Sequence, residues 1–250
     1  MKYYILASGS KGNSTVVVSH GRSILIDMGL SLSEFRNRLS KTPISENAIE
    51  AVFYTHSHGD HLRPLKFFDD SKIFATQGTV NRDTVNHLDF YATYHVAGFS
   101  VTVLPTSHDA RDSAGFIVDD GEKRLVYMTD TGYISEHNQT LMKDANFYIL
   151  ESNHNVRMLL KTNRPYDLIQ RILGDEGHLS NEDSAMYASE LLGPHTQEIV
   201  LAHLSEEANT PEEALSAYEK IFRRQRVDIT GIRIQAAAQW DITSGGDDEN

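Results

Sequence analysis

The chain has no cysteine, one tryptophan and six prolines in 250 residues. Without cysteine there are no disulfides and no thiolate ligands, so any bound metal would be held by imidazole and carboxylate. The same absence favours a cytoplasmic setting. No apolar run is long enough to span a bilayer. The N-terminal stretch 2–7 alternates in a way that fits a first strand better than a signal segment. Basic residues are also scarce: 23 Lys and Arg stand against 35 Asp and Glu, a formal net charge of −12. A protein that bound polyanions through its overall charge would be basic. Such a substrate would here need local charge, chiefly from bound metal. Hydrophobic residues at 40% and charged residues at 23% are ordinary for a globular chain with a full core. No linker or repeat forces a division, so one domain over 1–243 is expected, followed by a disordered acidic, Gly-rich tail at 244–250.

What is present in quantity is histidine, and its placement carries the argument. In Thr55-His56-Ser57-His58-Gly59-Asp60-His61, four metal-capable side chains fall within six residues. The apolar run 51–54 leads in as a strand, and 62–68 reads as a short helix. His56 and His58 could share one ion, and Asp60 and His61 could reach a second. Imidazole with carboxylate suits zinc, manganese or iron.

Further strands are expected at 15–18, 23–26, 72–75, 101–104, 116–118, 124–128, 147–150, 199–202 and 232–236. Ser31 with Glu34 forms a capping-box pattern opening a helix with Phe35 and Leu39 inward. Helices are also expected at 78–88, 156–161 and 166–173, after the cap Ser180, and from Thr210-Pro211 with Ala214, Tyr218, Ile221 and Phe222 buried. Four apolar strands end in a metal-capable residue: His56, His108, Asp130 and His203. Such ends can converge on one edge of a sheet, and hairpins mixed with amphipathic helices suggest sheet on sheet with helices outside. Asp27, at another strand end, could orient ligands or cap a turn. The loop Ser8-Gly9-Ser10-Lys11-Gly12-Asn13-Ser14 is no Walker A; it fits either an anion-binding nest or a hairpin turn. Arg157, Lys161, Arg164 and Arg171 form a basic stretch that reads as a solvated helix face or as a track for a substrate backbone.

This residue set, in this order, resembles the metallo-β-lactamase superfamily. The resemblance implies an α+β fold, the four-layer αββα sandwich. It implies that His56, His58 and His108 hold one divalent metal ion, that Asp60, His61 and His203 hold another, and that Asp130 bridges them. The N-terminal Gly-rich loop, Glu151-Ser152-Asn153-His154 and Gly177-His178-Leu179-Ser180 resemble more closely the bacterial YycJ/WalJ exonuclease group. That implies a dinuclear phosphodiesterase with Zn²⁺ or Mn²⁺, iron being possible. It would act as a 5′ to 3′ DNA exonuclease, with a hydroxide bridging the metals as nucleophile. Asp60 would orient that hydroxide, and His178, tuned by Glu151, would protonate the leaving 3′ oxygen. Ser10 and Asn13 are candidate substrate contacts, and His154 could bind substrate or brace the site. Ala202-His203-Leu204-Ser205 also resembles tRNase Z, which keeps an RNA substrate as an alternative. A small thioester, lactone or lactam is the other alternative, although it leaves His178 and Glu151 without an obvious purpose.

Overall fold

The computed structural model describes residues 1–63 and 65–247. The first half of the chain builds β1 (Lys2–Ala7), β2 (Ser14–Ser19), β3 (Arg22–Ile26), α1 (Leu32–Leu39), β4 (Ile49–Phe53), β5 (Ile73–Ala75) and β6 (Asn86–His87). The second half builds β7 (Thr93–Val96), β8 (Phe99–Pro105), β9 (Ala114–Asp119), β10 (Arg124–Met128), α2 (Glu136–Met142) and β11 (Phe147–Glu151). It continues with α3 (Val156–Leu159), α4 (Tyr166–Leu173), α5 (Asn181–Leu191), β12 (Glu198–Ala202), α6 (Pro211–Gln225), β13 (Arg233–Ala236) and β14 (Thr243–Gly246). Two seven-stranded sheets result among the described residues, ordered β14-β1-β2-β3-β4-β5-β6 and β13-β12-β11-β10-β9-β8-β7. Each is antiparallel on one side and parallel on the other, the change falling at β3 in the first and at β10 in the second.

Side chains on a strand alternate between its faces, and here both faces are apolar because both are covered. Ile24, Ile26, Ala51 and Phe53 of one sheet meet Val101, Val103, Phe116, Val118 and Ile149 of the other. The opposite face of the first sheet, with Val16, Leu25 and Val52, packs on Phe35 and Leu39 of α1. That of the second, with Val126, Tyr148 and Leu201, packs on Met142 of α2, Ala185 and Ala188 of α5, and Tyr218 and Phe222 of α6. This is the expected four-layer α+β sandwich. Among the described residues no helix is long and apolar enough to cross a membrane.

Several local expectations are corrected. Among the described residues of 62–68 there is no α-helix, only a 3₁₀ turn at Leu65–Phe67. The preceding backbone is already committed: Arg63 N donates to Met28 O at 2.7 Å, and Leu62 bridges Met28. Residues 78–88 are turns leading into β6, since Thr76 and Thr79 bond one another and Thr76 also donates to Asp112 O. The helix expected over 156–161 is the shorter α3. Ser244, Gly245 and Gly246, placed by sequence in a disordered tail, pair with β1, and Gly246 N donates to Glu198 Oε2 at 2.9 Å. Asp247 N donates to Met1 O at 2.9 Å, and 248–250 lie outside the described residues.

The switch from antiparallel to parallel pairing positions the site. Parallel neighbours point the same way, so their C-terminal ends share one edge. Asp27 follows β3, His56 follows β4, Asp130 follows β10, Glu151 ends β11 and His203 follows β12. Asp27, Asp130 and His203 all turn off their strands in the left-handed region, at φ 60°, 55° and 56°. Aspartate and histidine enter that region more readily than most residues.

Candidate metal centre

Nitrogen and oxygen donors of His56, His58 and His108 lie within 4.8 Å of one another, and so do those of Asp60, His61 and His203. Asp130 joins His56 and His61 in a third such group. His61 Nε2 is 3.1 Å from Asp130 Oδ2 and 3.7 Å from Asp60 Oδ2. His203 Nε2 is 3.8 Å from Asp60 Oδ2, and His108 Nε2 is 3.3 Å from His58 Nδ1. Donors around one tetrahedral zinc lie about 3.4 Å apart, given metal–ligand bonds of about 2.0–2.1 Å. The spacing therefore suits cations.

So does the bonding left unmade. His56 Nε2, Asp130 Oδ2 and His203 Nε2 are buried with no protein hydrogen-bond partner. Buried polar atoms are costly without a partner, and three orphaned atoms of one inward-facing donor set fit divalent metal.

The ring nitrogens facing away are held, as metal-binding imidazoles usually are. His61 Nδ1 lies 2.7 Å from Asp27 Oδ2, and Thr55 donates to Asp27 through its amide at 2.8 Å and its hydroxyl at 2.9 Å. Thr55 Oγ1 also reaches His56 Nδ1 at 3.0 Å. His108 Nδ1 donates to Gly177 O at 3.2 Å. His203 Nδ1 and His178 Nδ1 both meet Glu151 Oε1, at 3.0 and 2.8 Å. Glu151 further accepts from the amides of Asp130, Thr131 and Leu179. Two glycines allow the close approaches this needs. A Cβ on Gly29 would lie 1.6 Å from Asp60 O, and one on Gly177 would lie 2.2 Å from Arg171 O.

Electrostatics follow from these contacts. Burial would raise the Asp130 carboxyl, but His203 and His61 hold it well below the usual range. Burial likewise opposes charge on Glu151, yet His178 and the bonds from both imidazoles bring it down to about 2. Asp27, with fewer donors, is left raised by its burial. Burial opposes protonation of His61, but Asp130 and Asp27 lift it to about 10. His178 is also raised, Glu151 outweighing burial. Burial pushes His56 well down and His154 to about 4.

The expected catalytic and metal-binding residues therefore meet in one cleft region, with Asp60, His178 and Ser10 at its wall. The other two expected substrate contacts do not line that cleft. Asn13 is buried, its Oδ1 accepting from Gly9 N at 2.8 Å and its Nδ2 lying 2.8 Å from His61 Nε2. His154 is buried with both ring nitrogens unpartnered. Three supports escaped the sequence. Thr55 is a hub between Asp27 and two imidazoles, Ser8 Oγ accepts from His203 N at 2.7 Å, and Asn153 Nδ2 donates to His203 O at 2.9 Å. Thr55 could have been found from its place directly before the motif; the other two carry no spacing signal.

A Beta-lactamase superfamily domain matches residues 22–204. The chain belongs to that superfamily, is YycJ/WalJ-like and is a metal-dependent hydrolase. It is 29% identical over 243 residues to exodeoxyribonuclease YycJ of Bacillus anthracis, covering 90% of each chain. It is 32% identical over 226 residues to exodeoxyribonuclease WalJ of Streptococcus pneumoniae, covering 84% of each. In fold it resembles the metallo-β-lactamase fold protein YhfI of Bacillus subtilis, at TM-score 0.71 and 16% identity over 98% of this chain and 99% of that one. It also resembles the short form of human tRNase Z, at TM-score 0.66 and 16% identity over 97% and 98%.

Proposed function

We propose that the protein is a cytoplasmic 5′ to 3′ DNA exonuclease with a dinuclear centre. His56, His58 and His108 would hold one divalent ion and Asp60, His61 and His203 a second, with Asp130 between them. Zn²⁺ and Mn²⁺ are the candidates, with iron also compatible with these donors. Two such ions would acidify a shared water and neutralise charge on phosphoryl oxygens. The names of the two curated relatives support the substrate class.

The observation that carries the reading is the His178–Glu151 pair, 2.8 Å apart, with His178 Nδ1 also 3.7 Å from Asp130 Oδ1. Glu151 engages Nδ1, which leaves Nε2 to deliver a proton. Glu151 also keeps the imidazole protonated to higher pH than an ordinary histidine. A 3′ alkoxide is a poor leaving group and requires that proton. Asp60, which also lines the cleft, would orient the attacking water.

Metal analysis of the purified protein is expected to give close to two ions per chain, lost on chelation. End-labelled single- and double-stranded DNA and RNA, with and without a 5′ phosphate and with Mn²⁺ or Zn²⁺ added, test substrate and polarity. A ladder of products from the 5′ end of DNA is expected; hydrolysis of a chromogenic lactam instead would refute the assignment. Asp130→Gly is expected to remove hydrolysis of bis(p-nitrophenyl) phosphate while circular dichroism is retained, and surviving activity would exclude the bridging role.

A further inference from the structure

The wall of the cleft carries acidic Asp60, Asp109, Asp130 and Glu176, and among its described lining residues a single Lys or Arg, Arg171. Arg171 projects from α4, which buries Ile169 and Ile172. Its side chain is 61% exposed, and Nη1 reaches Asp109 Oδ2 at 2.9 Å. The other oxygen of Asp109 is 3.4 Å from His108 Nε2 and 3.7 Å from His58 Nε2. One carboxylate thus aims the guanidinium at the rim of the donor cluster. A guanidinium has five donors in a planar fork, and this one spends Nη1 on Asp109 and keeps most of its surface open to solvent.

We infer that Arg171 is a phosphate subsite: it binds the phosphate next to the one being cut on a nucleic-acid strand. The inference rests on the nuclease reading above. Planar guanidinium matches phosphate in a two-point contact. On a chain of net charge −12, a polyanion gains little from the overall field, so a fixed cation at the cleft carries weight. The rest of the basic stretch differs in placement. Arg164 is paired with Glu207 at 3.0 Å, and Arg157 and Lys161 face a separate hollow. The phosphate bound is either the 5′-terminal one or the next internal one, and the two are separable by experiment.

The test compares wild type, Arg171→Ala and Arg171→Lys in the Mn²⁺-loaded protein. One substrate is bis(p-nitrophenyl) phosphate, which has no neighbouring phosphate. The others are single-stranded DNA oligonucleotides with a 5′ phosphate or a 5′ hydroxyl. Arg171→Ala is expected to raise KM for oligonucleotide about tenfold with little change in kcat, as loss of uniform binding does. It should lower the salt slope of oligonucleotide binding by about one, read by anisotropy on a phosphorothioate-blocked strand. Hydrolysis of the small diester should slow far less than that of the oligonucleotide. Arg171→Lys should keep the slope and recover part of KM. An effect confined to the 5′-phosphorylated strand assigns the terminal phosphate; an equal effect on both strands assigns the internal one. Unchanged KM and slope in Arg171→Ala overturn the subsite, as does equal slowing of the small diester. Wild-type protein that hydrolyses the small diester but no oligonucleotide refutes the nuclease reading, and the subsite with it.

Discussion

Asp27 and Glu151 occupy matching posts on the two sheets. Each is a fully buried carboxylate at the end of a strand, and each holds the outward nitrogen of an inward-facing imidazole. Their titration differs in sign: Asp27 is raised by burial, and Glu151 is lowered to about 2 although burial opposes it. The difference is one of donors. Asp27 is served by Thr55 and His61, whereas Glu151 is served by two imidazoles and three backbone amides. Burial alone does not set the charge of a carboxylate; the count of donors converging on it does. The sheets differ accordingly in how they gather the centre. The first supplies His56, His58, Asp60 and His61 on one loop closed by its own bonds, His61 N to His58 O at 3.0 Å. The second draws His108, Asp130 and His203 from three strand ends and ties the last two to Glu151.

This contrast can be broken most strongly at Glu151. Glu151→Gln leaves the buried imidazole of His203 and the half-buried one of His178 without their anion and is expected to cost about 3–5 kcal/mol, measured by urea unfolding in chelator. His178→Ala acts on chemistry instead. Oligonucleotide cleavage should slow about 10²–10⁴-fold, while bis(p-nitrophenyl) phosphate, whose leaving group needs no proton, slows far less; equal slowing would exclude proton donation. Asp27→Asn, with fewer donors to strand, is expected to cost about 1–2 kcal/mol and to weaken metal binding about 10–100-fold, read by competition with a chromogenic chelator.

Acidity sharpens the comparison further, because the two carboxylates should respond in opposite directions. Glu151 falls from 4.5 to about 2 on folding, so its contribution is full above pH 4.5 and is lost as pH drops towards 2. Asp27 is raised above 3.8, so its contribution is full below that value and is lost as pH rises through the folded one. In metal-free protein the stability gap between wild type and Glu151→Gln should shrink from pH 5 to pH 3, and the gap to Asp27→Asn should widen. Parallel trends would discard the donor-count explanation. The smallest effect is expected at Asn153→Ala, about 1 kcal/mol for the bond to His203 O.

The donor set was legible in the sequence because each member ends an apolar run or lies in one short motif, and strand ends are where chemistry collects. Helix starts were legible where a cap announced them, as at Ser31, Ser180 and Thr210, whose side chains all accept from the expected amides. Failures came where tertiary bonds overrode local pattern. Residues 62–68 have helical composition, but Met28 claims the backbone at Arg63. Ser244–Gly246 have the composition of a tail, yet β1 offered a free edge and Glu198 an acceptor. Asn13, a candidate contact on its loop, is buried between Gly9 and His61, and His154 is buried with its ring nitrogens unpartnered, so neither exposes the polar group that its sequence context offered to a ligand. Arg171 was indistinguishable from its basic neighbours until Asp109 singled it out.

The left-handed turns at Asp27, Asp130 and His203 decide how these positions can be studied. Alanine scanning assumes that trimming a side chain leaves the main chain content. An L-residue with a bare methyl in that region is disfavoured by about 1 kcal/mol, whereas glycine enters it freely. Asp130→Gly should therefore unfold at higher urea than Asp130→Ala, even though both lack the carboxylate. At these three places glycine is the quieter knock-out, and alanine would report backbone discomfort as though it were lost chemistry.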